Sequence, residues 1–193
     1  MSVRTTIQIG DPRLKAKNIV VKDFSNPEIK RVIKDLKDTM RKKNLVGMAA
    51  PQIAKNYKIF VTEIRKTKAR SEAQLDDFCV FINPKITHFS ENENIIYEGC
   101  GSVLSGQLFG PVKRPSEIVI EAFNINGEKF RLLCNGLLAR VIQHEYDHLF
   151  GVEFTEKILD YKKLMSLEHY INFMKEKKNQ NSKLFEITKK EYF

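Results

Sequence analysis

The segment Gln143-His144-Glu145-Tyr146-Asp147-His148 decides how this chain is read. It lies within 137–149, a stretch free of Gly and Pro, whose apolar residues Leu137, Leu138, Val141, Ile142 and Leu149 recur at roughly helical spacing. A helix places positions i and i+4 one turn apart on the same face. His144 and His148 then offer two imidazole nitrogens to one metal ion, and Glu145 stands within reach of a water on that ion as a base. Metal-activated hydrolysis is the chemistry that this spacing serves. The plain alternative is a solvated helix with two unrelated histidines. The chain holds only four His, and finding two of them at this spacing around a Glu weighs against coincidence.

The 193 residues suit one domain with a real core. Hydrophobic residues make up 42%, the range of soluble globular proteins. No apolar run approaches the ~18 residues that a membrane helix needs, so no membrane partner is expected. Met1-Ser2-Val3-Arg4-Thr5-Thr6 shows no signal-peptide core and no myristoylation glycine, which makes the cytoplasm the default compartment. Three cysteines do not suggest a disulfide framework. Cys79 and Cys134 sit among apolar neighbours and read as inert core residues, whereas Cys100 lies between two glycines in Glu98-Gly99-Cys100-Gly101-Ser102. The net charge of +9 favours anionic partners such as a ribonucleoprotein surface, but a solvated lysine coat explains it more simply. No motif points to direct sequence-specific nucleic-acid binding.

Working outward, residues 1–22 read as extended, with a turn at Gly10-Asp11-Pro12. Residues 27–43 read as an amphipathic helix opened by Pro27, with Ile29, Val32, Ile33, Leu36 and Met40 on one face. The small residues of 45–52 read as a backbone-exposing loop. Ile59–Val61 and Cys79–Ile82 read as strands, the second ended by Asn83-Pro84, with a charged surface loop over 65–77 between them. A strand at Ile95–Tyr97 leads to Cys100, Pro111–Pro115 interrupts, and 117–124 pairs with 129–134 as a hairpin through Asn124–Gly127. The His144 helix stops at Gly151. A last helix is predicted over 157–178, with a charged tail over about 176–193 that extends it or frays. The whole reads as one α+β domain over 1–193: antiparallel or mixed sheets packed around a central metal-binding helix, with an N-terminal and a C-terminal helix.

A catalytic site of this kind takes three protein ligands and leaves one position open. The pattern with a third His six residues after the second fails, because Phe154 stands there. Glu168 on a following helix, beside His169, survives as a candidate. Cys100 is the third candidate, giving a His₂Cys set, and its pairing with the helix motif favours it.

Three segments together resemble the peptide deformylase family, which removes the formyl group from N-terminal formyl-methionine. The family shows Gly-x-Gly-x-Ala-Ala-Pro-Gln, Glu-Gly-Cys-Leu-Ser and Gln-His-Glu-x-Asp-His. This chain has Leu45-Val46-Gly47-Met48-Ala49-Ala50-Pro51-Gln52, Glu98-Gly99-Cys100-Gly101-Ser102 and Gln143–His148, in that order. Gly10-Asp11-Pro12-Arg13-Leu14 also resembles the family's opening, so the likeness spans roughly residues 7–160.

The resemblance implies that Cys100, His144 and His148 hold one divalent ion, Fe²⁺ in the cell, with Zn²⁺, Ni²⁺ or Co²⁺ as substitutes. It implies Glu145 as the proton carrier, with the Gln52 side chain and the Gly101 N–H as oxyanion donors. Gly47 would pair its backbone with the substrate, and Val46, Leu137 and Val141 would form the methionine pocket. Gln143 and Glu98 would orient the ligands. The implied partners are formyl-methionyl nascent peptides and, through the basic tail, the ribosome. Deleting 176–193 without changing ribosome co-sedimentation at low salt would refute that contact. Four positions depart from the family: Leu45 replaces the first glycine, Gly101 replaces Leu, and Leu104 and Gln107 replace a Pro and a basic residue. The alternative to an active hydrolase is a divergent relative that binds N-termini without turning them over.

Overall fold

Asn26 accepts from the backbone N–H of Glu28 at 2.8 Å and Pro27 takes the first helical position, so the first helix, α1, runs Pro27–Lys42 as its start signals require. The computed structural model describes residues 3–66, 75–176 and 185–193. Among them, strands β1 (Gly47–Ala49), β2 (Ile59–Thr62), β3 (Cys79–Phe89), β6 (Glu117–Phe123), β7 (Lys129–Asn135) and β9 (Lys190–Tyr192) form a six-stranded sheet in the order β1-β2-β3-β6-β7-β9. A three-stranded sheet has the order β4 (Glu93–Gly99), β5 (Leu108–Pro115), β8 (Met165–Ser166). All strand pairs are antiparallel.

The larger sheet is covered on both faces, and the two-residue period of its strands divides the core. Ile59, Val61, Val80 and Ile82 point toward α1 and meet Val32, Leu36 and Met40. Phe60, Phe81, Ile118 and Ile120 point the other way, onto Leu137, Leu138, Val141 and Ile142 of helix α2 (Gly136–His148). The smaller sheet lies against the remaining face of α2. Helix α3 (Leu167–Glu176) docks on it through Tyr170, whose ring stacks on Phe109 at 4.1 Å. The helix that carries the His motif is therefore enclosed between two sheets, as expected of its place at the centre of an α+β fold.

Several local expectations give way. Residues 45–52 are not a loop: they include β1 and a following 3₁₀ turn, in which Met48, Ala49 and Ala50 are fully buried, and small side chains let this segment pack against the helices. Asn83-Pro84 does not end β3, because Asn83 adopts φ +51 and the register with β6 shifts between Ile82 and Lys85. A bulge absorbs the proline there. Pro111 lies inside β5, beyond Phe109, where β8 no longer pairs. Among the described residues, the helix expected over 157–178 begins only at Leu167 and is described through Glu176. Before it come two 3₁₀ turns and β8, and Ile158 and Leu164 belong to a core shared with Phe154 and Val112. Their apolar spacing seats a loop on the smaller sheet. Residues 67–74 and 177–184, parts of the expected surface loop and tail, lie outside the described residues. Beyond them the chain returns as β9, paired with β7 from Leu132 to Cys134.

Phe81 is fully buried, stacked on Phe60 at 4.6 Å and edge-on to Phe130 at 5.5 Å. Phe81→Ala is expected to cost about 3–5 kcal/mol, lowering Tm by roughly 10 °C for a domain of this size. A thermal melt shifted by less than about 3 °C would show that the α2 face of the sheet collapses to refill the space.

Candidate active site

Helix α2 presents His144, Glu145 and His148, and the turn after β4 presents Cys100. One donor atom from each of Cys100, His144 and His148 lies within 4.8 Å of the others, and Cys100 Sγ is 3.3 Å from His148 Nε2. Cys100 and His148 are each 2% exposed. Glu168 does not compete as a ligand: it and His169 are exposed on α3. The three-residue set brings together one soft thiol and two imidazoles, which suits a divalent transition ion.

The electrostatics fit a cation at that point. His144 Nδ1 lies 2.8 Å from Glu98 Oε2, which fixes the ring and turns Nε2 toward Cys100. Burial opposes a charged His144, but its contacts with Cys100 and Glu98 override burial and hold its pKa well above the ordinary imidazole value. His148 goes the other way, held well below that value by burial and by His144. Burial pushes the Glu145 carboxyl up to about 7, and its Oε2 has no hydrogen-bond partner among the described residues. A buried, unpartnered carboxylate oxygen beside this donor set is the expected position of a group that handles a water.

Gln52 is built into the same wall. Its Oε1 accepts from the Ala49 N–H at 2.8 Å, which aims Nε2 at Cys100 Sγ (3.3 Å) and Ser102 Oγ (3.4 Å). The N-terminal segment braces both loops. The Ile7 N–H donates to the Gln52 carbonyl, the Ile9 N–H to the Ser102 carbonyl, and Gln8 Nε2 to the Gly101 carbonyl. Gly47 lies on β1, an edge strand of its sheet, directly over Glu145. A Cβ there would stand 2.5 Å from Glu145 Oε1 and 2.7 Å from Val141 Cγ1, so only glycine lets the strand approach this closely. Val46, Leu137 and Val141 line the same cleft as Cys100, His144 and Glu145, and each also belongs to the core against the larger sheet. Cys100, His144, Glu145, Gln52, Gly101, Gly47, Val46, Leu137 and Val141 therefore line one cleft, with His148 adjoining it through Cys100.

Sequence reasoning missed the arginines behind Glu98. Arg114 on β5 donates Nε and Nη2 to Glu98 at 2.7 and 3.0 Å, and Nη1 to Asp147 at 2.6 Å. Arg140 donates Nη1 to Glu98 at 2.9 Å and Nη2 to the Asn94 carbonyl. Despite burial, the charge of Arg114 and the His144 contact hold the Glu98 carboxyl well below the usual carboxylate range. A signal for Arg140 was present, since it precedes His144 by one helical turn on the same face. Arg114 had none, because its strand pairing is non-local. Gln143, expected to orient a ligand, instead donates to the Pro115 and Ala139 carbonyls and ties α2 to the end of β5.

Leu45 and Gly101, two departures noted in the sequence, meet in space. A Cβ on Gly101 would stand 2.7 Å from Leu45 Cδ1. The Leu45 side chain fills the volume that a side chain at 101 would need, so the two exchanges compensate each other.

Residues 3–164 match the family described as Polypeptide deformylase. Peptide deformylase 1 of Clostridium perfringens is 39% identical over 156 residues, covering 81% of this chain and 98% of that protein. Peptide deformylase 1B, chloroplastic, of Solanum lycopersicum is 33% identical over 80% of this chain, which spans 52% of that protein's length. The solved structure of a Met-Ala-Ser-bound class I type b peptide deformylase from Acinetobacter baumannii matches with a TM-score of 0.76 at 29% identity, over 82% of this chain and 100% of that one.

Two outcomes follow from this geometry. Glu98→Gln is expected to weaken metal retention by roughly 10–100-fold, read by chelator competition. Unchanged retention would mean that Glu98 does not set His144. Gly101→Leu is expected to destabilise the fold by about 1–3 kcal/mol through overpacking against Leu45. Adding Leu45→Gly should return most of that loss, with a coupling of about 1–3 kcal/mol in a denaturant double-mutant cycle. Simple additivity would show that the two positions are independent.

Proposed function

Because the chain belongs to the polypeptide deformylase family, we propose that it is a metal-dependent amide hydrolase that removes the N-formyl group from formyl-methionine at the start of nascent polypeptides and releases formate. The observation that carries this reading is the convergence of Cys100, His144 and His148 around the unpartnered carboxylate oxygen of Glu145, beneath an edge strand.

Cys100, His144 and His148 are the proposed ligands. They would hold a divalent ion, and the chemistry such an ion would supply there is acidification of a water and polarisation of the formyl carbonyl. The thiolate makes Fe²⁺ a fitting occupant, with Zn²⁺, Ni²⁺ or Co²⁺ as substitutes, because a His₂Cys set accepts several borderline ions. Glu145, with a carboxyl pKa raised to about 7, is poised to take a proton from the attacking water and return it to the leaving amine near neutral pH. The Gln52 Nε2 and the Gly101 backbone N–H would donate to the oxygen as charge develops on it. Gln52 costs nothing to orient at that moment, since Ala49 already holds its carbonyl end. The free edge of β1 at Gly47 would pair with the substrate backbone, and Val46, Leu137 and Val141 would receive the methionine side chain.

The alternative of a binding module without turnover loses its main support, because Leu45 and Gly101 accommodate each other and leave the polar groups in place. No helix among the described residues is long and apolar enough to cross a membrane. The cytoplasm remains the proposed compartment. A ribosome contact through the basic tail is also proposed. Lys189 pairs with Glu117 at 2.6 Å and Lys190 pairs with Asp76, which gives these two lysines a role within the fold.

Protein purified without oxygen in ferrous iron is expected to release formate from formyl-Met-Ala-Ser. Glu145→Gln should lower that rate by about 10²–10⁴-fold while keeping the metal. Cys100→Ser should lose both metal and turnover, and Glu168→Gln neither. The reading is rejected if protein carrying one metal per chain releases no formate, or if Glu168→Gln and not Cys100→Ser abolishes activity.

A further inference from the structure

The cleft has a wall that the family match does not cover. Phe185 lines it together with Val46, Leu137 and Val141, although the matched residues end at 164. The chain reaches this point because its last residues are tied down from several directions. β9 pairs with β7, and the Phe193 N–H donates to the Arg131 carbonyl at 2.9 Å. Asn135, the residue before α2, does not cap its own helix with its side chain. Its Oδ1 instead accepts from the Thr188 and Lys189 N–H groups at 2.9 and 3.0 Å, and its Nδ2 donates to Thr188 Oγ1 at 2.7 Å. Gly136, at φ +59, leaves room for the Glu186 carbonyl, which would lie 2.0 Å from a Cβ at that position. The start of α2 is thus shaped to hold residues 186–189. Phe185 and Ile187 then pack on the core that contains Leu137 and Val141.

We propose that Phe185, delivered by the C-terminal segment, forms a wall of the pocket that receives the first side chain of the substrate and sets which side chains enter. This rests on the deformylase reading above and goes beyond it by assigning a specificity role to a residue outside the family's matched length. The ligand class is a peptide whose first residue carries an unbranched, apolar, thioether-length side chain. An aromatic ring suits such a pocket, since it is rigid, adds apolar area, and makes favourable contact with a thioether sulfur. Removing the ring enlarges the pocket on one side, so binding of methionine should weaken while larger first residues gain.

The test compares wild type, Phe185→Ala, Phe185→Leu and Ile187→Ala, all as full-length iron-loaded protein. Formate release is measured from formyl-Met-Ala-Ser and from formyl-Phe-Ala-Ser, and binding of the product peptide Met-Ala-Ser by calorimetry. For Phe185→Ala the expected result is a rise in KM for the methionine peptide of about tenfold, with kcat within about twofold. Met-Ala-Ser binding should weaken in parallel, and the preference for methionine over phenylalanine should fall by about tenfold or more. Phe185→Leu should lie between wild type and Phe185→Ala, and it serves if the alanine variant fails to fold. Ile187→Ala packs on the same core and should lower Tm with no change in preference, which separates pocket shape from loss of stability. Wild-type KM and preference in folded Phe185→Ala, with wild type active, would overturn the proposal alone. A wild-type protein that holds iron, binds Met-Ala-Ser and releases no formate would overturn the deformylase reading. The binding assay would still decide whether Phe185 lines the pocket.

Discussion

The Glu98 carboxylate is the constraint on which this structure depends. It is buried, yet it accepts from both Arg114 and Arg140 and from His144 Nδ1. Asp147 adds a second negative charge against Arg114 and is itself held by Lys157 at 2.9 Å. Each buried carboxylate oxygen of Glu98 meets a guanidinium or an imidazole, and each guanidinium meets a carboxylate, which is the pairing under which buried charges are tolerated. Removing one partner leaves an uncompensated charge and costs about 3–5 kcal/mol, far more than an exposed pair of the same geometry. The cluster joins β4 through Glu98, β5 through Arg114 and α2 through Arg140, His144 and Asp147. It therefore fixes the distance between Cys100, which follows β4, and the two histidines of α2. The thiol and the imidazoles come from segments more than forty residues apart, and this ion cluster holds them in register.

A second consequence concerns the helix itself. A metal-binding helix on a protein surface would leave its ligands in water and its carboxylate near an ordinary pKa. Here α2 is enclosed between two sheets, one meeting Leu138 and Ile142, the other meeting Arg140. Burial on all sides is what raises Glu145, and one of its oxygens has no hydrogen-bond partner among the described residues. Enclosure is possible because a strand can pass almost in contact with the helix at Gly47. The same approach leaves the unpaired edge of β1 at the mouth of the cleft. One glycine thus serves both the electrostatics of the base and access for an extended chain.

Much of this was legible locally. The amphipathic face of α1, its start at Pro27, the β6–β7 hairpin and the His-Glu-x-x-His helix each rest on interactions between near neighbours in sequence, and each appears where the pattern puts it. What could not be read depended on partners far along the chain. Asn83-Pro84 looks like a strand end until β6 supplies the register shift that accommodates it. Residues 45–52 look too small to matter until the crowding around Glu145 shows why small residues are needed. Residues 157–166 have helical apolar spacing, but Ile158 and Leu164 use it to cover the smaller sheet. Arg114 lies in a strand whose prolines disguised it, and nothing near it in sequence announces Glu98.

The division between chemistry and shape follows from where these groups sit. The candidate ligands, Glu145 and the arginine cluster lie on α2, β4 and β5, tied to each other by ionic contacts that tolerate little change. Leu137 and Val141 of α2 line the cleft too, but other residues that shape it come from elsewhere: Leu45 before β1, Gly101 after the cysteine, and Phe185 near the end of the chain. These pack by volume, and volume can be conserved by exchange. A leucine on one wall can replace a leucine on the other, provided glycine takes its former place, and no charge or hydrogen bond in the ion cluster is disturbed. A fold arranged in this way can alter the peptides it admits while keeping the reaction, because the walls at Leu45, Gly101 and Phe185 take no part in the ionic contacts that hold the reacting groups.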